Sequence, residues 1–184
     1  MFIVFTDSWI HYVNQLKFYH RFIRKCIIPH SDAAVCVGKR GKEYLCKYGA
    51  KVKSIFTSPL AIDNFYYQHF FKTVDQKQYD IIFSGQFIDR KMPFFVIEIL
   101  KYLKGKKNNI KFLLIGSGPL ERDLIYQLNI LNIDYTYSGF IQQKNLPSYY
   151  ANAKLLLFPT KDDPWGLVVN EAFAVGTPVI TCEN

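Results

Sequence analysis

Two carboxylates lie eight positions apart near the end of the chain, at Asp163 and Glu171. A strand predicted to end at Pro159 precedes them, and Gly166 opens a predicted helix between them. The first amide groups of a helix have no partner within it and carry the positive end of its dipole, so this turn suits a phosphate. Glu171 lies about one and a half turns inside the helix and can accept hydrogen bonds from hydroxyls. The pattern predicts a site for a ligand with both a diphosphate and sugar hydroxyls.

Glycines follow three further predicted strands. Gly85 ends the first strand, Gly116 and Gly118 follow the second, and Gly139 ends the third. Because the carboxyl ends of parallel strands meet at one edge of a sheet, we expect these turns to share one rim and to offer bare backbone to a ligand. A Gly-x-Gly turn also occurs where a chain only has to turn tightly, and that interpretation stays open for Gly116 and Gly118.

Apolar runs alternate with helical periods in the second part of the chain. Phe94, Ile97 and Leu100 share one face of a helix predicted at residues 93–103, and four leucines share one face at residues 120–131. Continuous apolar strands between such helices indicate a parallel sheet that is covered on both faces. The predicted fold class is therefore α/β with a doubly wound parallel sheet, whose strands lie at residues 80–85, 110–116, 133–139, 153–159 and 177–182.

The first 79 residues predict a smaller α/β segment. Apolar runs and a helix predicted at residues 39–49 are typical of two strands with their helices, which are too few for a full sheet. Residues 61–78 contain a cluster of Phe and Tyr and predict a connector that is pinned by ring packing.

Composition excludes several classes of protein. The 184 residues are 49% hydrophobic and 21% charged, which excludes a disordered chain. No apolar run is long enough to predict a transmembrane helix. The four cysteines lack a C-x-x-C pair and the histidines lack zinc spacing, so we expect reduced, buried thiols in a cytoplasmic protein.

The net charge of +8 comes mainly from residues 1–79, which carry 12 Lys and Arg against 5 Asp and Glu. Such an excess of positive charge can attract nucleic acid, an anionic membrane or a phosphorylated molecule. No nucleic-acid-binding motif accompanies it, so nucleic acid is not an expected partner. Basic and aromatic residues interleave from Lys17 to Arg24, and this pattern leaves open a peripheral contact with the inner face of the membrane.

Several segments, taken in order, resemble the retaining glycosyltransferases of family 4, which have the two-domain GT-B fold. The segment DPWGLVVNEAFAVGTPVI at residues 163–180 is similar to that family's E-x7-E signature. FSGQFIDRK, LLIGSGPL and YSGFIQQKNLPSYYANAKLLLFPT precede it in the family's order, and VGKRGKEYLCKYGA and FTSPLAIDN resemble the end of the family's N-terminal domain. The resemblance implies a remnant of the N-terminal domain at residues 1–62, an interdomain connector at 63–79 and a nucleotide-sugar-binding, Rossmann-like domain at 80–184 that is incomplete at its C-terminal side.

The resemblance also implies a role for each site residue. Glu171 would accept hydrogen bonds from ribose hydroxyls, Asp163 would contact hydroxyls of the donor sugar, and Lys91 would neutralise the departing diphosphate. With a cation beside the leaving group, no metal ion or other cofactor is expected. The amides at the start of the helix would meet the diphosphate, and the glycine turns would accommodate the base. The expected donor-nucleotide-binding residues are Gly85, Gln86, Gly116, Gly118, Phe140, Ile141, Gly166, Leu167 and Val168.

Two positions depart from the family pattern, which usually has Glu at Asp163 and Arg at Gln86. The Asp163 carboxylate reaches one methylene less far, and the Gln86 amide supplies no charge. Simpler interpretations stay open for the catalytic candidates. Asp163 can serve only as a helix cap, Lys91 can be a solvated lysine, and Glu171 can be an exposed helix residue.

The implied function is transfer of a hexosyl unit, with retention, from a nucleotide diphosphate sugar to an acceptor hydroxyl in the synthesis of a surface polysaccharide or glycolipid. The expected partners are the nucleotide sugar and an acceptor saccharide, free or lipid-linked. The matched segments imply a partial chain. Three alternatives stay open: an inactive nucleotide-binding subunit, a part of a split enzyme that pairs with a separately encoded N-terminal half, and a nucleotide-sugar epimerase of the GT-B fold.

Overall fold

A computed structural model describes residues 1–7, 16–106, 109–163 and 165–182. The chain divides into two units, Met1–Ala61 and Ile62–Asn184. By this division the segment at 63–79 belongs to the second unit. The assignment of the first unit to the end of a preceding domain stays a prediction.

The first unit contains a parallel sheet in the order β1-β2-β3. Two strands were predicted for this region, and the sheet has three, because the apolar start of the chain pairs with the second strand in register. The helix predicted at residues 39–49 is confirmed, and it ends before Gly49, which has a φ of +89°. The elements are β1 (Ile3–Thr6), α1 (Phe18–Ile27), β2 (Ala33–Cys36), α2 (Gly38–Lys47) and β3 (Ile55–Thr57).

The basic and aromatic residues from Lys17 to Arg24 belong to a longer stretch that starts at His11 and ends at Ile28; residues 11–15 lie outside the described residues, and helix α1 carries most of the rest. None of its side chains is buried, and Phe18 and Phe22 are 83% and 68% exposed. Cys26 on this helix is therefore exposed, as is Cys46 on α2, so the expectation of buried thiols is correct only for Cys36. Among the described residues, no helix has the length and apolar character to cross a bilayer. The membrane contact of α1 stays a prediction.

The second unit contains a five-stranded parallel sheet in the order β6-β5-β4-β7-β8, and all five predicted strands are confirmed. The two helices predicted between them are also confirmed. The elements are α3 (Asn64–Gln68), β4 (Ile81–Ser84), α4 (Pro93–Lys104), β5 (Lys111–Ile115), α5 (Glu121–Ile130), β6 (Asp134–Tyr137), α6 (Leu146–Ala151), β7 (Leu156–Phe158), α7 (Leu167–Ala174) and β8 (Val179–Thr181). Single turns of 3-10 helix occur in both units, at Ile28–His30, Val52–Ser54, Val74–Gln76, Asp89–Lys91 and Gln143–Asn145.

Both faces of the second sheet are buried, as its apolar strands predict. Successive residues of a strand face opposite sides, and in β4 Ile81 and Phe83 pack in one core cluster whereas Ile82 packs in another. Helices α4 and α5 cover the first face through side chains such as Leu100 and Leu128, both fully buried. The doubly wound α/β fold class is confirmed.

The strand order creates a switch point beside β4. From β4 the chain adds β5 and then β6 on one side, and it returns to place β7 and β8 on the other side. Open α/β sheets bind ligands in the crevice outside the carboxyl ends of the strands at such a point. The fold therefore places the turns after β4 and β7 at the position where a ligand site is expected.

Candidate functional site

A cavity of about 630 Å³ lies where the loops after β4, β5 and β6 face helix α7. Its size is within the range of roughly 300–1,000 Å³ that is typical of small-molecule sites. Apolar side chains from four segments, among them Ile88, Ile115 and Leu146, form much of the wall. The predicted site residues in that wall are Gly85, Gln86, Gly116, Gly118, Phe140, Ile141, Leu167, Val168 and Glu171.

Backbone hydrogen bonds tie the three glycine turns together at this edge. The amide of Gly116 donates to the carbonyl of Gly139 at 2.9 Å, and the amide of Phe87 donates to the carbonyl of Ser117 at 2.9 Å. A Cβ on Gly116 would lie 1.8 Å from the carbonyl oxygen of Gly85, and one on Gly118 would lie 2.6 Å from that of Phe87. Both glycines are therefore required by the close approach of two loops, and not only by a tight turn.

Glu171 on α7 is only 5% exposed, and it lines the cavity. Its Oε1 accepts a hydrogen bond of 3.0 Å from the hydroxyl of Tyr67, and Tyr150 and Gln143 also hydrogen-bond to the carboxyl. Burial raises the pKa of Glu171 above its ordinary value, and these three hydrogen bonds oppose part of that rise. The interpretation of Glu171 as an exposed helix residue is therefore wrong.

Lys91 and Asp163 form an ion pair beside the cavity, and their side chains are 13% and 16% exposed. The Nζ of Lys91 donates to Oδ2 of Asp163 and also lies 5.2 Å from the ring centre of Phe158 at the end of β7. The interpretation of Lys91 as a solvated lysine is therefore wrong. Neither residue lines the cavity itself, and the pair stands at the switch point between β4 and β7.

Asp163 also caps the turn before α7. Its Oδ1 accepts hydrogen bonds from the amides of Trp165 at 3.2 Å and Gly166 at 3.0 Å. Burial by itself raises the pKa of Asp163, but the hydrogen bonds from Lys91, Gly166 and Trp165 together hold it below its ordinary value. The capping role is thus real, and the bond to Lys91 adds a second role that capping does not explain.

The backbone on either side of the ion pair is fixed by contacts between the loops after β4 and β7. The amide of Lys161 donates to the carbonyl of Arg90 at 2.9 Å, and the guanidinium of Arg90 donates to the carbonyl of Asp162. Met92, directly after Lys91, has a φ of +49°, a left-handed conformation that is uncommon outside glycine. Such strain persists only where the surrounding structure enforces it.

The start of α7 differs in one respect from its sequence prediction. Gly166 has a φ of +55° and precedes the helix, and its amide is occupied by Asp163 instead of facing the cavity. Leu167 and Val168, the first two helical residues, do line the cavity. Their amides belong to the first turn, which has no acceptor within the helix. Of the three amides predicted to bind an anion, those of Leu167 and Val168 remain available, and that of Gly166 does not.

Sequence reasoning did not identify the partners of Glu171. Tyr67 is 104 positions away and was included only in the aromatic connector, where ring contacts such as that of Tyr66 with Phe70 are indeed present. Tyr150 lies in a segment that resembles the family but was given no role. The available signal was a tyrosine in place of phenylalanine within an apolar cluster, since a buried hydroxyl needs a partner.

The family model for glycosyl transferases group 1 matches residues 67–184, which include every residue of the site. This chain belongs to the glycosyl transferases group 1 family. An alpha-1,4-N-acetyl-D-galactosaminyltransferase of Campylobacter jejuni is 26% identical to this group 1 chain over 137 residues, which are 74% of this chain and 36% of the relative. That relative is named for an acceptor that ends in diNAcBac-PP-undecaprenol.

Two solved structures share the fold of this group 1 chain. The pneumococcal O-GlcNAc transferase GtfA, in complex with UDP and GlcNAc, has a TM-score of 0.74 at 16% identity over 98% of this chain and 37% of that one. Anabaena HepE, in complex with UDP and glucose, has a TM-score of 0.72 at 12% identity over 97% of this chain and 52% of that one. The chain therefore has the α/β architecture of GT-B glycosyltransferases, and it spans about a third to a half of the length of these three proteins.

Proposed function

We propose that this chain is a partial retaining glycosyltransferase of family 4 and that its second unit binds the donor, a nucleotide diphosphate sugar. The enzyme to which it belongs transfers a hexosyl unit to an acceptor hydroxyl without a metal ion. The observation that carries the proposal is the position of Glu171, a buried carboxylate in the wall of a cavity whose other lining residues are apolar, glycine or uncharged polar residues. A hydroxyl-bearing ligand with a flat base suits such a cavity.

Each part of the donor has a group of matching chemistry. The base lies against the glycine turns and the 77% exposed ring of Phe140, and Glu171 accepts from the ribose hydroxyls. The amides of Leu167 and Val168, at the positive end of α7, face the diphosphate. Asp163 contacts hydroxyls of the donor sugar.

Lys91 acts on the charge that develops during transfer. The bond between the anomeric carbon and the phosphate oxygen breaks, the acceptor oxygen forms a bond to the same face of that carbon, and the proton of the acceptor hydroxyl passes to the departing phosphate oxygen. Negative charge grows on the diphosphate, and a preorganised ammonium group stabilises it without a metal ion. For this role Lys91 exchanges its bond with Asp163 for one with the phosphate. Unchanged transfer by the whole enzyme in excess EDTA supports the metal-free proposal, and loss that magnesium restores contradicts it.

The acceptor is proposed to be a saccharide, free or lipid-linked, in the synthesis of a surface polysaccharide or glycolipid. The name of the Campylobacter jejuni relative, with its undecaprenol-linked acceptor, supports a lipid-linked saccharide. The acceptor site itself belongs to the N-terminal domain, of which the first unit is proposed to be the end.

The test of the donor site is thermal unfolding of the purified chain with UDP, GDP and their sugars. A ligand that binds only the folded chain raises the melting temperature in proportion to the logarithm of its concentration over Kd. We expect one nucleotide series to stabilise the wild type. Because a hydrogen bond to a charged group contributes roughly 1.5–3 kcal/mol, Glu171→Ala weakens binding about 10–100-fold.

Glu171→Gln serves as the variant that keeps the volume of the buried side chain, and Glu98→Gln, an exposed residue on α4, serves as the matched surface control. We expect Glu98→Gln to respond to nucleotide like the wild type and Glu171→Gln to respond less. A wild-type chain that no nucleotide stabilises contradicts the donor site, and an unchanged response in both Glu171 variants removes Glu171 from it.

A further inference from the structure

The carboxyl of Glu171 belongs to a buried chain of hydroxyl groups. Tyr67 donates to its Oε1 at 3.0 Å, Tyr150 hydrogen-bonds to it as well, and the hydroxyl of Tyr150 lies 3.0 Å from Oγ of Ser84. The exposed fractions are 3% for Tyr67, 0% for Tyr150 and 8% for Ser84. Water cannot replace these partners readily, so the carboxyl has one well-defined environment.

These four hydrogen-bonded groups come from four different elements, and three of the groups line the cavity. Tyr67 lies on α3, Tyr150 on α6, Glu171 on α7, and Ser84 at the end of β4, directly before Gly85 in the cavity wall. No local rule of helix or strand formation requires a hydroxyl at Tyr67 or Tyr150, since a phenylalanine would fill either core position with nearly the same volume. The two hydroxyl groups therefore have a purpose other than packing.

The three groups that interact with the Glu171 carboxyl differ in their exposure. Tyr67 and Tyr150 are buried, whereas Gln143, which precedes α6, is exposed and lines the cavity. A carboxylate offers about four acceptor positions, so two buried donors leave room for two further donors. A ligand hydroxyl that enters the cavity can take the position of the Gln143 amide but not that of either tyrosine.

We propose that Tyr67 and Tyr150 are positioning residues that hold the carboxylate of Glu171 toward the cavity, so that it accepts hydrogen bonds from two vicinal hydroxyls of a ligand. Gln143 occupies one of these acceptor positions until the ligand arrives. The inference rests on the proposed donor site and names the groups that prepare it. Such preorganisation improves affinity because the carboxylate loses no freedom when the ligand binds.

The protonation state of Glu171 supplies a second readout, which responds to the loss of a hydrogen bond at the carboxyl. All three partners are neutral, and burial raises the pKa of both tyrosines, so they remain donors across the ordinary pH range. Their hydrogen bonds favour the charged carboxylate. Removing one hydroxyl therefore raises the pKa of Glu171 further, and the pH at which nucleotide binding is half lost on acidification moves upward.

The test is calorimetric titration of the full chain with UDP and with GDP from pH 5 to pH 8.5. Tyr67→Phe and Tyr150→Phe are the test variants. Tyr66→Phe is the matched control, since its hydroxyl donates to the carbonyl of Lys144 and not to Glu171. We expect each test variant to weaken binding about 5–30-fold at pH 7 and to move the acid midpoint upward. Tyr66→Phe leaves both quantities unchanged.

The possible outcomes distinguish a failure of the positioning role from a failure of the proposed donor site. If the wild type binds neither nucleotide, the proposed function fails and this inference with it. If the wild type binds and both tyrosine variants keep its affinity and acid midpoint, only the positioning role is overturned. Weaker binding with an unchanged midpoint also overturns it, because it indicates altered packing. Should Tyr150→Phe not fold, Tyr67→Phe and Ser84→Ala decide the same question, with Ser84→Ala expected to shift the midpoint in the same direction.

Discussion

Lys91 and Asp163 neutralise each other when no ligand is bound. The pair is nearly buried, and Asp163 also accepts hydrogen bonds from two backbone amides, so the turn before α7 is held in one conformation. An anionic ligand has to compete with Asp163 for Lys91, which costs affinity but leaves the ammonium group correctly placed. The shorter side chain of Asp163, compared with the glutamate usual in the family, suits a residue that must also cap the turn.

The ion pair predicts a pH-dependent loss of stability in Lys91→Met. The pKa of Asp163 is lowered in the folded state, so this group stabilises the fold above its ordinary pKa of about 3.9 and loses that contribution as pH falls through the folded value. Removing Lys91 leaves a partly buried carboxylate without its cation, so we expect a loss of about 1–3 kcal/mol at pH 7. The difference from the wild type shrinks as pH falls below about 4 and through the lowered pKa of Asp163 in the folded wild type, because protonation of the carboxyl removes the ion pair.

Urea unfolding at pH 7, 5, 4 and 3 measures this difference. Lys101→Met, at an exposed position on α4, is the matched control and is expected to change stability by less than about 0.5 kcal/mol at every pH. A loss in Lys91→Met that stays constant from pH 7 to pH 3 would show that the ion pair does not stabilise the fold.

At the scale of elements, the site depends on two loops that approach each other at backbone distance. The loop after β5 passes so close to the loop after β4 that no side chain fits at Gly116 or Gly118. Hydrogen bonds from Phe87 to Ser117 and from Leu120 to Phe87 hold the loops together. The shape of the cavity therefore follows from glycine at two positions and from the adjacent positions of β4 and β5 in the sheet.

Gly118→Ala is expected to destabilise the second unit by about 2–4 kcal/mol, because its Cβ would approach the backbone of Phe87 within 2.6 Å. Gly105→Ala is the control, since its Cβ would make an ordinary contact of 3.4 Å and its backbone has a φ of −65°. The control is expected to be neutral or to stabilise the fold by up to about 1 kcal/mol. Thermal unfolding distinguishes the two, and equal melting temperatures would contradict the close approach.

At the scale of the whole molecule, the two units differ in charge. The first unit carries 10 Lys and Arg against 3 Asp and Glu, whereas the second carries 13 against 12. The proposed donor site thus belongs to the unit that is nearly neutral, and we expect its affinity for phosphate to come from Lys91 and the start of α7 instead of a general positive field. The basic excess belongs to the unit that carries α1, for which a membrane contact stays a proposal.

The chain alone is expected to bind a nucleotide but to transfer sugar little or not at all, because the acceptor site is proposed to lie in a domain of which the first unit is only the end. Sugar transfer and release of UDP or GDP, measured with the chain alone and after co-expression with polypeptides encoded beside its gene, test this. A gain on co-expression supports a split enzyme. Efficient transfer by the purified chain contradicts the expectation. Nucleotide binding without sugar transfer in any combination favours an inactive subunit. Conversion of one nucleotide sugar into another in the absence of an acceptor favours an epimerase.

The sequence by itself determined the five strands of the second unit, its helices α4, α5 and α7, and the order of its glycine turns. These are local properties, because apolar periodicity and turn residues act within about ten positions along the chain. The spacing of Asp163 and Glu171 on either side of a helix start is local as well. This spacing predicted that Asp163 lies at the helix start and that Glu171 projects from the helix toward the ligand.

Only the tertiary structure decided which groups face each other. The sheet order brings Lys91 to Asp163 across 72 positions and Tyr67 to Glu171 across 104 positions, and no periodicity in the sequence encodes either pairing. Likewise, the close approach of the loop after β4 to Gly116 and Gly118 follows from the adjacent positions of β4 and β5, and it adds to the constraint of the positive φ angles in the turn itself. Contacts between distant segments follow from how the layers pack, and in this protein they determine the charge and the orientation of the candidate site.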